Sequence, residues 1–357
     1  MRNHTKSWIW AMLTALCAAL PAAHGEEPPW RVDDLRRFLH LAGEGLTPND
    51  WKVADQGGIA VKMPSSANPQ EVVVLGLTRV KANTSCFLTQ FEDIEKFRKS
   101  PGFHRVRKVG TPPRDADLAA MRLTPGEVSG IKTCRPGDCT IKLPVQAMRR
   151  IVAEVNWDAL NAHDLTESAF RRWLAGYMRA YARLGNAALA ENHSGPITVR
   201  IADELQQMLD ANPSLKGFLP EFYNHLKDYP ESPASGAREF LYWFTANFGS
   251  KPVTIVSHVN IFEQPGKGVI ASKQIYANHY VDASLGLTFL MDTPGNGEPA
   301  MYLVYLNRSR IDLFTGWGAS VSKFFLRRRL MGGFRENLRQ VADRVGAACK
   351  SDAAHAR

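Results

Sequence analysis

Polar side chains that could bind or transform a ligand are concentrated in the last third of the sequence, in segments that alternate like β-strands. A strand face that mixes tyrosines with amide groups suits an amphipathic ligand, because apolar contacts hold the ligand and a few polar groups orient it. A solvent-facing strand would show the same alternation, so both interpretations stay open. The candidate ligand-binding residues in these strands are His258, Gln274, Tyr276, Asn278 and Tyr280.

The same strands contain residues from which an acid–base group could be assembled. His258 and His279 could meet across neighbouring strands, beside Tyr276 or Asp282. The sequence has no nucleophile elbow, zinc-protease helix, phosphate-binding glycine loop or dinucleotide fingerprint. Its histidines also lack the spacing of metal ligands. We therefore assign no catalytic residue, metal or cofactor, and favour a binding protein over an enzyme.

The first 25 residues have the composition of a secretory signal peptide. Arg2 and Lys6 precede an apolar stretch, and small residues at positions 23 and 25 form a cleavage site. The apolar stretch is too short to span a membrane. Cleavage of the signal peptide would remove Arg2 and Lys6 and lower the formal net charge from +9 to +7. We expect an exported protein, with the bacterial periplasm as its compartment.

Cleavage would leave four cysteines, an even number that favours disulfides in an exported protein. Cys134 and Cys139 flank a Pro-Gly turn, and we predict a local disulfide between them. Zinc binding is the alternative, but a single C-x4-C pair supports it weakly. Cys86 and Cys349 are then either paired across the fold or free and buried.

Hydrophobic periodicity divides the chain into an early strand-rich part, a helical middle and a late strand-rich part. Helices are predicted over 32–46, from 48 onward, and over 83–97, 145–155, 166–184, 199–209, 221–226 and 238–248. Strands are predicted over 59–63, 71–80, 104–109, 252–262, 269–281, 284–292 and 300–311. Three charged residues stand at the end of the last strand: Arg308, Arg310 and Asp312. We predict that they form an ion-pair cluster; a clamp that binds an anion is the alternative.

A long helix predicted over 319–348 closes the chain, and its apolar residues form one stripe. Gly332 and Gly333 lie in the middle of this helix, where glycine is unfavourable. We interpret them as allowing the helix to pack closely on the sheet; the alternative is that they permit a bend or leave room for a ligand. Ligand contacts from this helix are predicted at Phe324, Met331 and Phe334.

The terminal helix also carries most of the positive charge. Residues 316–357 contain nine basic and three acidic residues, so +6 of the mature +7 lies there. A basic amphipathic helix is typical of contact with an anionic membrane surface, although simple solvation of one helix face is the alternative. The sequence has no nucleic-acid-binding motif, and for an exported protein we expect no nucleic-acid partner. The candidate membrane-surface residues are Lys323, Arg327, Arg328 and Arg329.

The order of these elements resembles the START-like (helix-grip) superfamily of polyketide cyclases and lipid-transfer proteins. The resemblance rests on the strand at 72–80, the helical pair at 86–99, a further strand, and the late antiparallel run closed by a long helix. The segments 272–280 and 305–312 also resemble a group of exported bacterial proteins without assigned function. The resemblance to the START-like superfamily implies an α+β fold in which a curved antiparallel sheet grips the C-terminal helix, here with a large helical insertion.

The resemblance implies a lipid or other hydrophobic small molecule held between the sheet and the terminal helix. One alternative is a START-like cyclase or hydrolase that uses His258, His279 and Tyr276. Another is an envelope interaction module, for which the aromatic residues at 240 and 242–244 would have to be exposed. The predicted organisation is a signal peptide (1–25), N-terminal helices (26–58), the first part of the sheet (59–143), the helical insertion (144–248) and the late strands with the terminal helix (249–357).

Overall fold

The computed structural model describes residues 33, 35–37, 45–99, 102–248, 251–293, 298–312 and 319–355. Within these ranges, the side chains of 213, 214, 218, 248, 319–330 and 352–355 are not described. The predicted signal peptide and most of the helix predicted over 32–46 lie outside the described residues. In the part of the chain that is described, no helix combines the length and the apolar character needed to cross a membrane.

Eight antiparallel strands form one large sheet in the order β1-β2-β10-β9-β8-β7-β6-β3, and two short strands, β4 and β5, pair separately. The α+β class with a large antiparallel sheet and a C-terminal helix is therefore confirmed. The strands are β1 Ile59–Lys62, β2 Glu71–Val80, β3 Phe103–Lys108, β4 Glu191–Asn192, β5 Val199–Arg200, β6 Arg238–Phe248, β7 Lys251–Gln264, β8 Lys267–Ala277, β9 Val281–Asp292 and β10 Met301–Ile311.

The helices begin where the sequence supplies caps. Thr47 and Asp50 form a capping box at α1 with Pro48 in its first turn, and the Asn83 side chain caps α2. Asp93 separates α2 from α3 within the single helix predicted over 83–97. The helices are α1 Pro48–Asp55, α2 Thr84–Glu92, α3 Ile94–Phe97, α4 Pro125–Lys132, α5 Val145–Glu154, α6 Ala162–Leu184, α7 Ile201–Asp210, α8 Pro213–Phe218, α9 Pro220–Lys227 and α10 Ala319–His355.

Helices cover both faces of the sheet. We call one face the terminal-helix face, because Leu88 of α2 and Leu338 of α10 pack on it. The other is the insertion face, against which Trp51 of α1, Phe170 of α6 and Phe222 of α9 pack. The sheet is thus the central layer of the described structure, and every candidate site residue on it faces one of two buried layers.

The helix predicted over 238–248 is wrong, because this segment forms strand β6, which pairs with β7 along its whole length. Tyr242 and Phe244 face the terminal-helix layer, whereas Trp243 faces the insertion. With apolar residues on both faces, the polar–apolar alternation that signals a strand disappears. These three aromatic rings are buried, so the exposure that would favour an interaction module is not found there.

Both disulfides are present. Cys134–Cys139 confirms the predicted local bridge, and Cys86–Cys349 connects α2 to the end of α10. Disulfides persist outside the reducing cytoplasm, so the two bridges are those of a non-cytoplasmic protein.

The terminal helix runs without interruption from Ala319 to His355, and its stripe from Met331 to Val345 packs on the sheet. Gly332 and Gly333 are exposed, and a Cβ atom at either would meet no described atom within 4 Å. The close packing predicted at these glycines is therefore wrong. Side chains of Lys323, Phe324, Arg327, Arg328 and Arg329 lie outside the described residues.

Candidate functional site

A β-bulge in β8 separates residues that sequence periodicity places on one face. Tyr276 lies opposite Val256, but Gln274 lies opposite Ser257, so Ile275 is an extra residue in β8. A bulge reverses the alternation beyond it. Gln274 consequently shares the terminal-helix face with Ser257, whereas Tyr276 faces the insertion. The predicted common face is wrong for this reason.

Beyond the bulge, the polar side chains of β8 and the residues after it bind the segment that precedes the insertion, which contains Glu127 of α4 and Lys142. The Tyr276 hydroxyl donates to the Lys142 carbonyl at 3.0 Å. The Asn278 amide donates to Glu127 Oε1 at 2.7 Å, and the His279 Nε2 atom lies 2.9 Å from the same oxygen. These hydrogen bonds satisfy the buried groups internally, which is the usual arrangement for polar side chains in a core.

His258 also faces the insertion but belongs to a different network. Its Nδ1 atom lies 2.8 Å from the Tyr181 hydroxyl, and its Nε2 atom lies 3.3 Å from Glu239 Oε2. Burial lowers the pKa of His258 to about 4, and Glu239 opposes this shift only in part. A neutral imidazole can donate at Nε2 and accept at Nδ1 from Tyr181. The predicted group of His258, His279 and Tyr276 is not assembled, because His258 and His279 bind different partners.

Lys273 is the unexpected member of the His258 network. Only 3% of this lysine is exposed, and its Nζ atom donates to Asn186 at 3.0 Å. The Nζ atom also lies 4.8 Å from the centre of the Tyr229 ring, a cation–π contact. Burial lowers the pKa of Lys273 to about 7. The sequence does not indicate that Lys273 is buried, because the residues around it alternate just as they would around an exposed lysine.

Buried polar groups without partners occur on the terminal-helix face as well as at Asn260 Nδ2 on the insertion face. Gln274 is buried, and its Nε2 atom has no hydrogen-bond partner among the described residues. Arg98, which follows α3, is half-buried, and the described part of the chain likewise provides no partner for its Nε atom. The Arg98 guanidinium carbon lies 5.1 Å, 5.7 Å and 5.5 Å from the ring centres of Phe103, Tyr242 and Phe244. Sequence reasoning missed Arg98, because it stands in a basic run that looks solvated.

The terminal helix approaches this face closely at one strand residue. A Cβ atom on Gly76 of β2 would collide with Leu338 and with the Phe334 ring. The Phe334 ring in turn lies 5.3 Å from the Tyr305 ring of β10. The glycine that permits contact between helix and sheet is therefore on the strand. Four predicted ligand-binding residues border this layer: Gln274, Tyr280, Met331 and Phe334.

An open groove of about 860 Å³ lies at the end of the sheet where β3 pairs with β6. Phe103 lines this groove and also lies under the Arg98 guanidinium. Basic side chains from Lys99 and Arg105 line it as well, together with His104 and Asn247. The groove therefore adjoins the Arg98 cluster, which we define as Arg98 with the rings of Phe103, Tyr242 and Phe244.

No protein-family model matches the chain, and no curated protein matches it. The geometry of the terminal-helix face and of the insertion face is therefore the basis on which a function can be assigned.

Proposed function

We propose that this protein is an exported, START-like binding protein that holds a lipid or other hydrophobic small molecule between its sheet and its terminal helix. The periplasm is the proposed compartment, and contact with an anionic membrane surface through the basic terminal helix is part of the proposal. The antiparallel sheet, with a long C-terminal helix on one face, supports this function.

The observation that carries the proposal is the pair of unpartnered donors on the terminal-helix face. Arg98 Nε and Gln274 Nε2 are both buried, and no described residue provides a hydrogen-bond partner for either atom. Each such group costs about 1–3 kcal/mol when it stays unpaired, and native cores avoid this cost. Acceptor atoms of a bound ligand would pair with these donors, and the surrounding aromatic rings would contact the ligand's apolar part.

The contacts of the terminal helix support a curved sheet around this face. Leu338 of α10 lies against Gly76 of β2, and Arg344, six residues later in the helix, donates to the carbonyls of Phe97 and Lys99, just before β3. Strands β2 and β3 are six strands apart, which corresponds to about 29 Å in a flat sheet, whereas six helical residues span only about 9 Å. Contacts at both ends from so short a stretch of helix support the gripping arrangement of the START-like fold.

The insertion face favours binding over catalysis. Tyr181, His258 and Glu239 resemble a nucleophile–base–orienter chain in their order of contacts. Tyr181 on α6 and His258 on β7 are however both fully buried, and desolvation raises the pKa of Tyr181 well above its ordinary value. A neutral, inaccessible tyrosine is a poor nucleophile. We therefore interpret this network as one that fixes the insertion to the sheet.

The test is to identify what the protein carries. Mass spectrometry of the organic extract of natively purified protein should detect a hydrophobic small molecule in near-stoichiometric amount. Gln274→Ala should reduce its occupancy, whereas Gln340→Ala, in an exposed residue of α10, should leave occupancy unchanged. A folded protein that carries no such molecule, and that also fails to bind the fluorescent amphiphile 1-anilinonaphthalene-8-sulfonate, would contradict the proposal.

A further inference from the structure

Arg98 is a cation for which the described structure provides no counter-charge. In the parts of the chain that the structure describes, no ion pair forms at this guanidinium. The carboxylates of the neighbouring helices have other partners: Glu92 binds Arg238 at 2.5 Å, and Glu95 binds Arg107 at 3.2 Å. The Nε–H of Arg98 is buried and, among the described residues, unbonded, and an arginine can use this group together with a neighbouring Nη–H to bind an anion side-on with two hydrogen bonds.

The surroundings of Arg98 are apolar on the side of the sheet. Its guanidinium lies over the rings of Phe103, Tyr242 and Phe244, each within 5.7 Å. Aromatic faces stabilise the cation but offer no hydrogen-bond acceptor. The in-plane N–H groups therefore stay available to oxygen atoms, while the rings present an apolar surface directly beside them.

The protein holds Arg98 in place through the terminal helix. Arg344 of α10 donates to the carbonyls of Phe97 at 3.0 Å and Lys99 at 2.9 Å, the residues on either side of Arg98. The Cys86–Cys349 disulfide fixes the same two regions to each other. A surface arginine needs no such support, whereas a binding residue gains affinity from being preorganised.

We propose that the ligand is an anionic amphiphile, whose carboxylate or phosphate head group binds the Arg98 guanidinium and whose apolar chain lies on the terminal-helix face. This inference rests on the proposed function and adds the ligand's chemical class. Gln274 supplies a second, neutral donor on the same face, and Lys99 adds positive charge at the adjoining groove. Carboxylate and phosphate share the oxygen geometry that a guanidinium fork recognises.

The test compares three single-chain probes below their micelle concentrations: decanoate, decyl phosphate and decanol. Isothermal titration of the full-length exported protein should show decanoate or decyl phosphate binding at least about tenfold more tightly than decanol, as expected for a charge-assisted hydrogen bond. Arg98→Gln should abolish this preference and change decanol affinity little. Arg98→Lys should retain part of the preference, and Arg107→Gln, in a paired arginine of β3, should retain all of it.

Each remaining outcome is decisive. Equal binding of decanol and both anions by the unaltered protein would overturn the anionic ligand but leave the proposed function intact. Persistence of the preference in Arg98→Gln would overturn the role of Arg98. Failure of all three probes to bind a protein whose circular dichroism shows it folded would overturn the proposed function as well.

Discussion

Cys86 in α2 is disulfide-bonded to Cys349 near the end of α10, across 263 positions of sequence. This bond closes the terminal-helix layer, because it fixes the end of the helix to the elements that precede Arg98. The sequence left open whether these two cysteines are paired, since residues so far apart in the chain give no local sign of proximity.

Removing the long-range disulfide should destabilise the protein more than removing the local one. Cys86→Ser with Cys349→Ser should lower the free energy of unfolding by about 3–5 kcal/mol, because the cross-link restricts a very large loop in the unfolded chain. Cys134→Ser with Cys139→Ser is the matched control and should cost about 2 kcal/mol. Urea unfolding without reductant measures both. A smaller loss for the long-range pair would contradict the expected order.

Lys273 should make the protein more stable as pH rises from 7 to 9. Burial lowers the pKa of Lys273 to about 7 in the folded state, whereas the unfolded chain keeps it near 10.5. Between these values the unfolded state binds more protons, so the contribution of Lys273 to stability increases by about 2 kcal/mol over this interval. Urea unfolding at both pH values should show this rise.

Two lysine-to-methionine variants test whether Lys273 causes this rise in stability. Lys273→Met should remove the rise and increase stability at pH 7, because the desolvation of a charge is no longer required. Lys52→Met, in an exposed residue of α1, should preserve the rise. The same pH dependence in Lys273→Met as in the unaltered protein would show that another group is responsible.

Two glycine substitutions should have opposite signs. Gly76→Val should lower the free energy of unfolding by about 1–3 kcal/mol, because the added side chain collides with Phe334 and Leu338. Gly333→Ala should raise it by about 0.5–1 kcal/mol, since this helical position is exposed and open. Thermal unfolding compares the two. Stabilisation by Gly76→Val would mean that α10 does not approach β2 as described.

The basic segment of the terminal helix should bind anionic vesicles. Replacing Lys323, Arg327, Arg328 and Arg329 with Gln should reduce flotation with vesicles rich in phosphatidylglycerol more than about tenfold, since each cation contributes about 1 kcal/mol near such a surface. Neutral phosphatidylcholine vesicles should bind neither form. A control with four Gln substitutions at Arg105, Arg107, Arg335 and Arg339 should bind more tightly than the first variant. Equal losses in the two variants would show that net charge alone determines binding.

Local signals predicted much of the architecture. The capped start of α1, the strand at β2, the short disulfide and the strands from β7 to β10 all follow from patterns within a few residues. The ion-pair cluster predicted at the end of β10 is confirmed in part: Arg308 and Arg310 both bind Glu71. Asp312, the third predicted member, binds Lys142.

Three features could not be predicted from sequence periodicity, because each depends on residues that are distant in the chain. β6 is apolar on both faces because separate helices cover it, and this removes the strand signal. The bulge at Ile275 moves Tyr276 to the insertion face through a register shift against β7, which no local pattern encodes. Arg98 becomes a candidate binding residue only because aromatic rings from β3 and β6 meet beneath it.

The position of β10 between β2 and β9 has a consequence for biogenesis. β2 spans Glu71–Val80, but its central partner begins at Met301, so more than two hundred residues must be synthesised before the sheet can close. Until then the edge of β2 that β10 covers stays unpaired, and such an edge is prone to aggregation. The sheet can therefore be completed only when nearly the whole chain has been synthesised.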